Sequence, residues 1–303
     1  MRNQKAEKEM NRQVEERRKS TGNALPPHQN VGEVIDKVGR VLRELYEEPL
    51  RTFIIGGSFA AAIVAWHNFK VELLYNDIDV FVQSREKGQL SDDTHYRIQG
   101  DDGRAVAITN VRMLHGVLDG TEVPVNVVDV FDRKKKGGGG GGGGGRRRRR
   151  REDSSFLGEL IRNFDINAVM VGFRVQLDET YDAWKITAWK VRKPFLKFMA
   201  SATLDIPEFR RCRSIVHSLV RLAKKSSELD LPMCLPSPDI VQEMMQSRAV
   251  PAAVVKKWLD LPPTIQNLPH FKDLSVEGPL EELWDGHRTE YYCFKRNKTT
   301  TPY

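Results

Sequence analysis

Apolar positions along the chain fall into a small number of periodic runs. Val31, Val34, Ile35, Val38, Val41, Leu42 and Leu45 recur at three- and four-residue spacing, which predicts an amphipathic helix ended by Pro49. Thr52-Phe53-Ile54-Ile55 is a short β-type run, followed by Gly56-Gly57-Ser58 and an Ala-rich stretch, Phe59 to Phe69, that predicts a buried helix. Asp77 to Val82 alternates with period two, as a strand does. Ala105 to Leu114 and Val123 to Phe131 are further strands, and Asp119-Gly120 is a turn signal that makes them a hairpin. A helix over Phe156 to Arg162 and a strand over Ile166 to Val175 follow.

The rest predicts mostly helix. Pro207 suits the first turn of a helix bearing Phe209, Cys212, Ile215, Val216, Leu219, Val220 and Leu222. Ser237-Pro238-Asp239 opens a second helix and Pro251 a third, which reaches Trp258. The organisation expected is a disordered arm (1–30), an α/β core (31–175), a helical C-terminal region (176–260) and an irregular tail (261–303).

Composition narrows the class. With 303 residues and 40% hydrophobic content, the chain can bury a real core and is neither collagen-like nor wholly disordered. Its longest apolar stretch, Phe53 to Trp66, is too short to span a membrane and is broken by Gly56, Gly57 and Ser58. No apolar signal region stands near Met1, and Cys212, Cys234 and Cys293 are too scattered for a metal cluster or a disulfide framework. An intracellular location, cytoplasmic or nuclear, is expected, without a membrane partner.

The net charge of +7 is local. Arg133 to Lys136 and Arg146 to Arg151 flank nine glycines, Gly137 to Gly145, and without these ten cations the chain has 38 basic against 41 acidic residues. No general nucleic-acid surface follows. Residues 133–154 read as a solvated low-complexity loop, since a glycine run has no side chains to bury and maximal backbone entropy to lose. It reads best as a tolerated repeat expansion; nonspecific phosphate binding by the arginines is the alternative.

The chemistry-bearing pattern is strand, Gly-Gly-Ser, helix, then a strand with Asp-x-Asp. In a strand Asp77 and Asp79 project from the same face, where two ionised carboxylates repel unless a cation joins them. Oxygen ligands of this kind suit Mg²⁺ or Mn²⁺, which leave places for water and substrate phosphates. Gly56 and Gly57 let backbone approach a ligand closely, and the helix start with the Ser58 hydroxyl can hold a triphosphate. Ser58 as a simple helix cap is the plainer reading. Arg192, Lys193, Lys197, Arg210, Arg211 and Arg213 read as solvated helix faces, with contact to a triphosphate or an RNA acceptor as the alternative, and Trp184, Trp189 and Trp258 read as core rather than as base-stacking groups.

Together these residues resemble the nucleotidyltransferase superfamily of DNA polymerase β, whose signature is a Gly-Gly or Gly-Ser turn, a helix, an Asp-x-Asp strand and a third carboxylate on a later strand. Gly57, Ser58, Asp77 and Asp79 match, although the 18 residues between Ser58 and Asp77 exceed the usual spacing. The third carboxylate is Asp129, with Asp165 as rival. Arg162-Asn163-Phe164-Asp165-Ile166-Asn167-Ala168 is similar to the Arg-Asp-Phe-Thr-Ile-Asn-Ala stretch of CCA-adding enzymes and bacterial poly(A) polymerases, where an Arg-Arg-Asp group contacts the nucleotide; only Arg162 matches that group by type. The resemblance covers roughly residues 31–175.

It implies an α/β (α+β) nucleotidyltransferase head, a small mixed sheet flanked by helices, with a mostly helical region after it. It implies a metal-dependent transfer of NMP from an NTP, ATP included, to a hydroxyl acceptor such as an RNA 3′ end. Asp77, Asp79 and Asp129 would be catalytic, with Asp165 a further metal ligand, and Gly56, Gly57, Ser58 and Arg162 would bind nucleotide. The rival expectation is a catalytically silent nucleotide- or RNA-binding module on the same fold.

Overall fold

The protein is seen here as a computed structural model, which describes residues 31–46, 50–84, 97–99, 105–118, 123–132, 156–207, 215–246, 250–284 and 287–296. The arm over 1–30, the Gly/Arg loop over 133–154, the Asp119-Gly120 turn, Pro49, Cys212 and the cations Arg210, Arg211 and Arg213 lie outside the described residues. The chain divides into two compact units, Met1–Ala202 and Thr203–Tyr303.

The first unit is mixed α/β. Helix α1 (Val31–Leu45) buries Val34, Ile35, Val38 and Leu42, the stripe its spacing predicts. Strand β1 (Thr52–Gly56) leads into α2 (Ser58–Phe69), and β2 (Ile78–Ser84), β3 (Arg97–Gln99), β4 (Ala105–Leu114) and β5 (Val125–Asp132) follow. A helix over 156–162, here α3, and a 3₁₀ turn (Asn167–Val169) precede β6 (Val171–Asp178), β7 (Ala183–Val191) and α4 (Lys193–Ser201). The seven strands form one sheet in the order β3-β4-β5-β2-β1-β6-β7. Every pairing is antiparallel except β2 with β5.

The two faces of this sheet bury different partners. Phe53 and Trp184 pack as a tilted pair with centroids 5.1 Å apart, and a Cβ on Gly39 of α1 would come within 2.1 Å of the Trp184 indole, so α1 lies on the face that Phe53 and Ile55 share. On the opposite face a Cβ on Gly56 would meet Phe164 at 2.9 Å, and one on Gly172 would meet Ile161 at 2.4 Å, so α3 and the residues after it press closely there.

Sequence pattern and structure differ in three places here. β7 is a strand within the region read as helical, and the first unit accordingly runs to Ala202. Residues 167–169 turn as a 3₁₀ helix, and β6 starts only at Val171. Trp189 is 43% exposed on the edge strand β7, whereas Trp184 and Trp258 are buried.

In the second unit, α5 (Ile215–Leu229), α6 (Pro238–Gln246), α7 (Ala252–Leu259) and the short α8 (Pro263–Gln266) accompany a three-stranded sheet, order β8-β10-β9, of β8 (Val250–Pro251), β9 (Leu274–Trp284) and β10 (His287–Arg296). Trp258 packs edge-on to Phe271 and Phe294 at 5.3 and 5.5 Å. The long β9–β10 hairpin occupies much of the stretch expected to be an irregular tail.

Candidate active site

The site forms where β1 gives way to α2. Gly57 caps α2 with φ 81° and ψ −147°, a conformation that side-chain-bearing residues rarely adopt. Its N–H donates to the Val171 carbonyl at 3.1 Å, and its carbonyl accepts the first helical bond, from Ala61 at 3.0 Å. A Cβ at Gly57 would stand 2.9 Å from Asp79 Oδ2. Glycine is required here twice, for the turn and for the carboxylate lying against it. Gly57 thus lends close approach, while its own N–H is spent on β6.

Asp77 and Asp79 stand at the start of β2, both half-buried. The Ser58 hydroxyl donates to Asp77 Oδ1 at 3.4 Å rather than capping its helix. Asn126 donates through Nδ2 to Asp77 Oδ2 at 2.9 Å and to Asp79 Oδ1 at 3.1 Å. One amide group with two hydrogens thus serves both carboxylates. Its other atom, Oδ1, is buried with no hydrogen-bond partner. The β2–β5 register sets this arrangement, since Asp79 lies opposite Asn126.

That register also places Asp129, which lies opposite Val82. Asp129 is three positions from Asn126, so the pleat turns its side chain to the other face. There the Tyr46 hydroxyl, just past α1, donates to Asp129 Oδ1, and Arg112 of β4 reaches Oδ2 at 3.4 Å. Arg112 also lies over the Tyr46 ring, 5.4 Å from its centroid. Burial first, then the hydrogen bond to the Asp129 carboxylate and its charge, push the Tyr46 hydroxyl pKa above its usual 10.0, against the opposing charge of Arg112. The structure therefore does not join Asp129 to the Asp77–Asp79 pair.

The remaining predicted residues are dispersed around the pair. Gly56 is buried under Phe164 and Ile161 and serves packing. Arg162 is half exposed and lies 3.9 Å from Glu159, one turn back on α3. Asp165 is buried in the segment after α3, next to Phe164, whose ring packs against Phe81 on the face that carries the pair. Among the described residues no group of three or more His, Cys, Asp or Glu could hold a metal ion. The oxygen donors at the pair are two carboxylates and the Ser58 hydroxyl, all hard oxygens that fit Mg²⁺ or Mn²⁺, while Asn126 presents its amide nitrogen to both acids.

Sequence reasoning missed Asn126, and it missed an apolar strip beside it. Met113 pairs with Asn126 and Val111 with Val128 across β4–β5, which puts both on the site's face, 60% and 45% exposed. The alternation Val125-Asn126-Val127-Val128-Asp129 already put Asn126 and Asp129 out of phase; the strand register was needed to say which one meets Asp79.

No family model matches the sequence, and no curated protein matches it. Solved structures do. A CCA-adding enzyme in complex with ATP is 10% identical with a TM-score of 0.38, over 80% of this chain and 49% of that one. A Thermotoga maritima CCA-adding enzyme complexed with tRNA is 8% identical, TM-score 0.38, over 79% and 48%. A CCA-adding enzyme in complex with CTP is 10% identical, TM-score 0.40, over 86% and 52%. The chain spans about half the length of these structures. No helix among the described residues is long and apolar enough to cross a membrane.

Proposed function

We propose that the first unit is a metal-dependent nucleotidyltransferase, moving NMP from an NTP to a hydroxyl acceptor. A bond forms between the acceptor oxygen and the α-phosphorus, the α–β phosphoanhydride bond breaks, pyrophosphate leaves and the hydroxyl proton passes to solvent. Asp77 and Asp79 would hold Mg²⁺ or Mn²⁺. When bound, such an ion supplies charge neutralisation at the phosphates and polarises the attacking and leaving oxygens.

The observation that carries this reading is the convergence of Asp77 and Asp79 on one amide at the Gly57 corner, where α2 begins. The first-turn N–H groups of α2 lack helical acceptors, so with the Ser58 hydroxyl they suit the β- and γ-phosphates. The exposed Met113–Val111 strip offers an apolar surface for a base. Arg162, half exposed, is free to exchange Glu159 for a phosphate. Asp129, held by Tyr46 and Arg112, is assigned to the scaffold, which leaves Asp165 as the acidic alternative for a third metal ligand. An RNA 3′ end is one acceptor that suits the chemistry.

The test is transfer from α-labelled NTP with Mg²⁺ or Mn²⁺, comparing the wild type with Asp77→Asn/Asp79→Asn. The double variant is isosteric and removes two charges, so it should fold and lose transfer; undiminished transfer would end the proposal. The absence of Asp129 from the pair favours one second reading, a nucleotide-binding module without turnover. Metal-dependent NTP binding by calorimetry with no pyrophosphate release over a range of acceptors would establish that reading instead.

A further inference from the structure

Asn126 is a neutral side chain placed directly between two acidic ones. It lies opposite Asp79 in the one parallel pairing of the sheet, and its amide nitrogen spans the pair at 2.9 and 3.1 Å. Both amide hydrogens are thereby used, and the carbonyl oxygen is left buried with no donor. A buried acceptor without a partner is uncommon in folded proteins and calls for an explanation. An amide has two edges of nearly equal shape and opposite polarity. Between two bare carboxylates only the N–H edge is tolerated. With a divalent cation among the carboxylates the preference inverts, and the carbonyl edge faces the ion.

We propose that Asn126 is the third oxygen ligand of the cation that Asp77 and Asp79 hold, its amide turning over as the ion enters. The inference rests on the metal-binding reading of that pair and adds the residue that completes it. It makes the ligand set dianionic, so the ion is held loosely enough to arrive with the nucleotide, because divalent-ion affinity follows the number of ligand charges.

The experiment is Mn²⁺ alone titrated into the full chain, with free Mn²⁺ read by electron paramagnetic resonance and the melting temperature read in parallel. Asn126→Leu keeps the volume and removes the oxygen, and should weaken Mn²⁺ binding tenfold or more. Asn126→Asp adds a third charge and should tighten binding tenfold or more. Without metal it should melt below the wild type, and Mn²⁺ should raise its melting temperature more than the wild type's. Should Asn126→Leu fail to fold, the Asn126→Asp result alone decides, and no tightening overturns the proposal.

Affinity within twofold of the wild type in both Asn126 variants, with binding lost in Asp77→Asn/Asp79→Asn, overturns the role of Asn126 and leaves the metal pair standing. Loss in Asp165→Asn with none in Asn126→Leu gives the third place to Asp165 and likewise overturns it. No Mn²⁺ binding by the wild type, or equal binding by Asp77→Asn/Asp79→Asn, removes the underlying reading as well.

Discussion

Gly57→Ala separates two costs that the structure superimposes at one position. The first is conformational: φ 81° with ψ −147° is a glycine region, and holding alanine there costs about 1–3 kcal/mol. The second is steric and local to the site, because the new methyl would stand 2.9 Å from Asp79 Oδ2. The carboxylate must shift, and if the shift breaks the hydrogen bond that its Oδ1 accepts from Asn126 at 3.1 Å, that loss adds ~1 kcal/mol. The sum is about 2–4 kcal/mol. With a urea dependence of roughly 2 kcal/mol per molar, the unfolding midpoint should fall by about 1–2 M. Gly116→Ala is the matched control. Its φ is 72° and a Cβ there meets nothing within 4 Å, so it carries the conformational cost alone, about 1–2 kcal/mol. Urea titrations followed by circular dichroism compare the two. A Gly57→Ala midpoint no lower than that of Gly116→Ala would refute the contact between Gly57 and Asp79 as a determinant of the corner.

Two further outcomes are expected. Tyr46→Phe removes the hydroxyl that donates to the buried Asp129 and should destabilise the first unit by about 1–3 kcal/mol, read as a lower urea midpoint near neutral pH. Because the folded state holds the Tyr46 proton past pH 10.0, the wild type keeps this contribution below that pH and loses it as pH rises further, a decline Tyr46→Phe should lack; parallel alkaline slopes would contradict it. Lys257 of α7 is half-buried, and its pKa is lowered from 10.5 by burial and then by Arg221 and Lys224 of α5, so its charge is a penalty at neutral pH that fades as pH rises toward 10.5. After discounting for solvent screening, Lys257→Met should stabilise at pH 7 by on the order of 0.5 kcal/mol, with the gain shrinking as pH rises toward 10.5; a lower melting temperature at pH 7 would contradict this.

What the sequence could disclose depended on how local the cause was. The α1 stripe, the buried Ala-rich α2 and the alternation of β2 are short-range patterns, and each element stands where its pattern predicts it. β7 is an edge strand whose period-two alternation, with Trp184, Ile186 and Ala188 more buried than Lys185 and Thr187, lasts only five residues before the exposed Trp189 and Lys190 break it, a short signal inside a stretch read as helical. β9 contains Gly278-Pro279, a pair that ordinarily argues against a strand; the ladder steps from Glu277–Cys293 to Leu280–Tyr291 and passes over both residues, so they sit in a bulge of an edge strand where a proline is tolerated. Such strands are specified by what lies beside them.

The candidate site divides along the same line. That Asp77 and Asp79 share a face follows from strand geometry alone, and the glycine corner follows from a β-run meeting a helix. Which residue of β5 meets them does not, because a sheet's side chains change face with every residue of register. A strand rich in valine on both sides, with Val125, Val127 and Val130 all fully buried, holds no contrast that would reveal the register from sequence. The Pro124 carbonyl, accepting from Ile78 N at 3.0 Å, is one of the contacts that set it. Shifted by a single residue, β5 would turn Asp129 onto the face of the pair, opposite Phe81 or Gln83 rather than Asp79, and Asn126 onto the other face, leaving no buried acid for Tyr46 and Arg112 to hold. The observed register instead separates the three acids: Asp129 ties the residue after α1 to the sheet, and an amide stands between Asp77 and Asp79 on the other face.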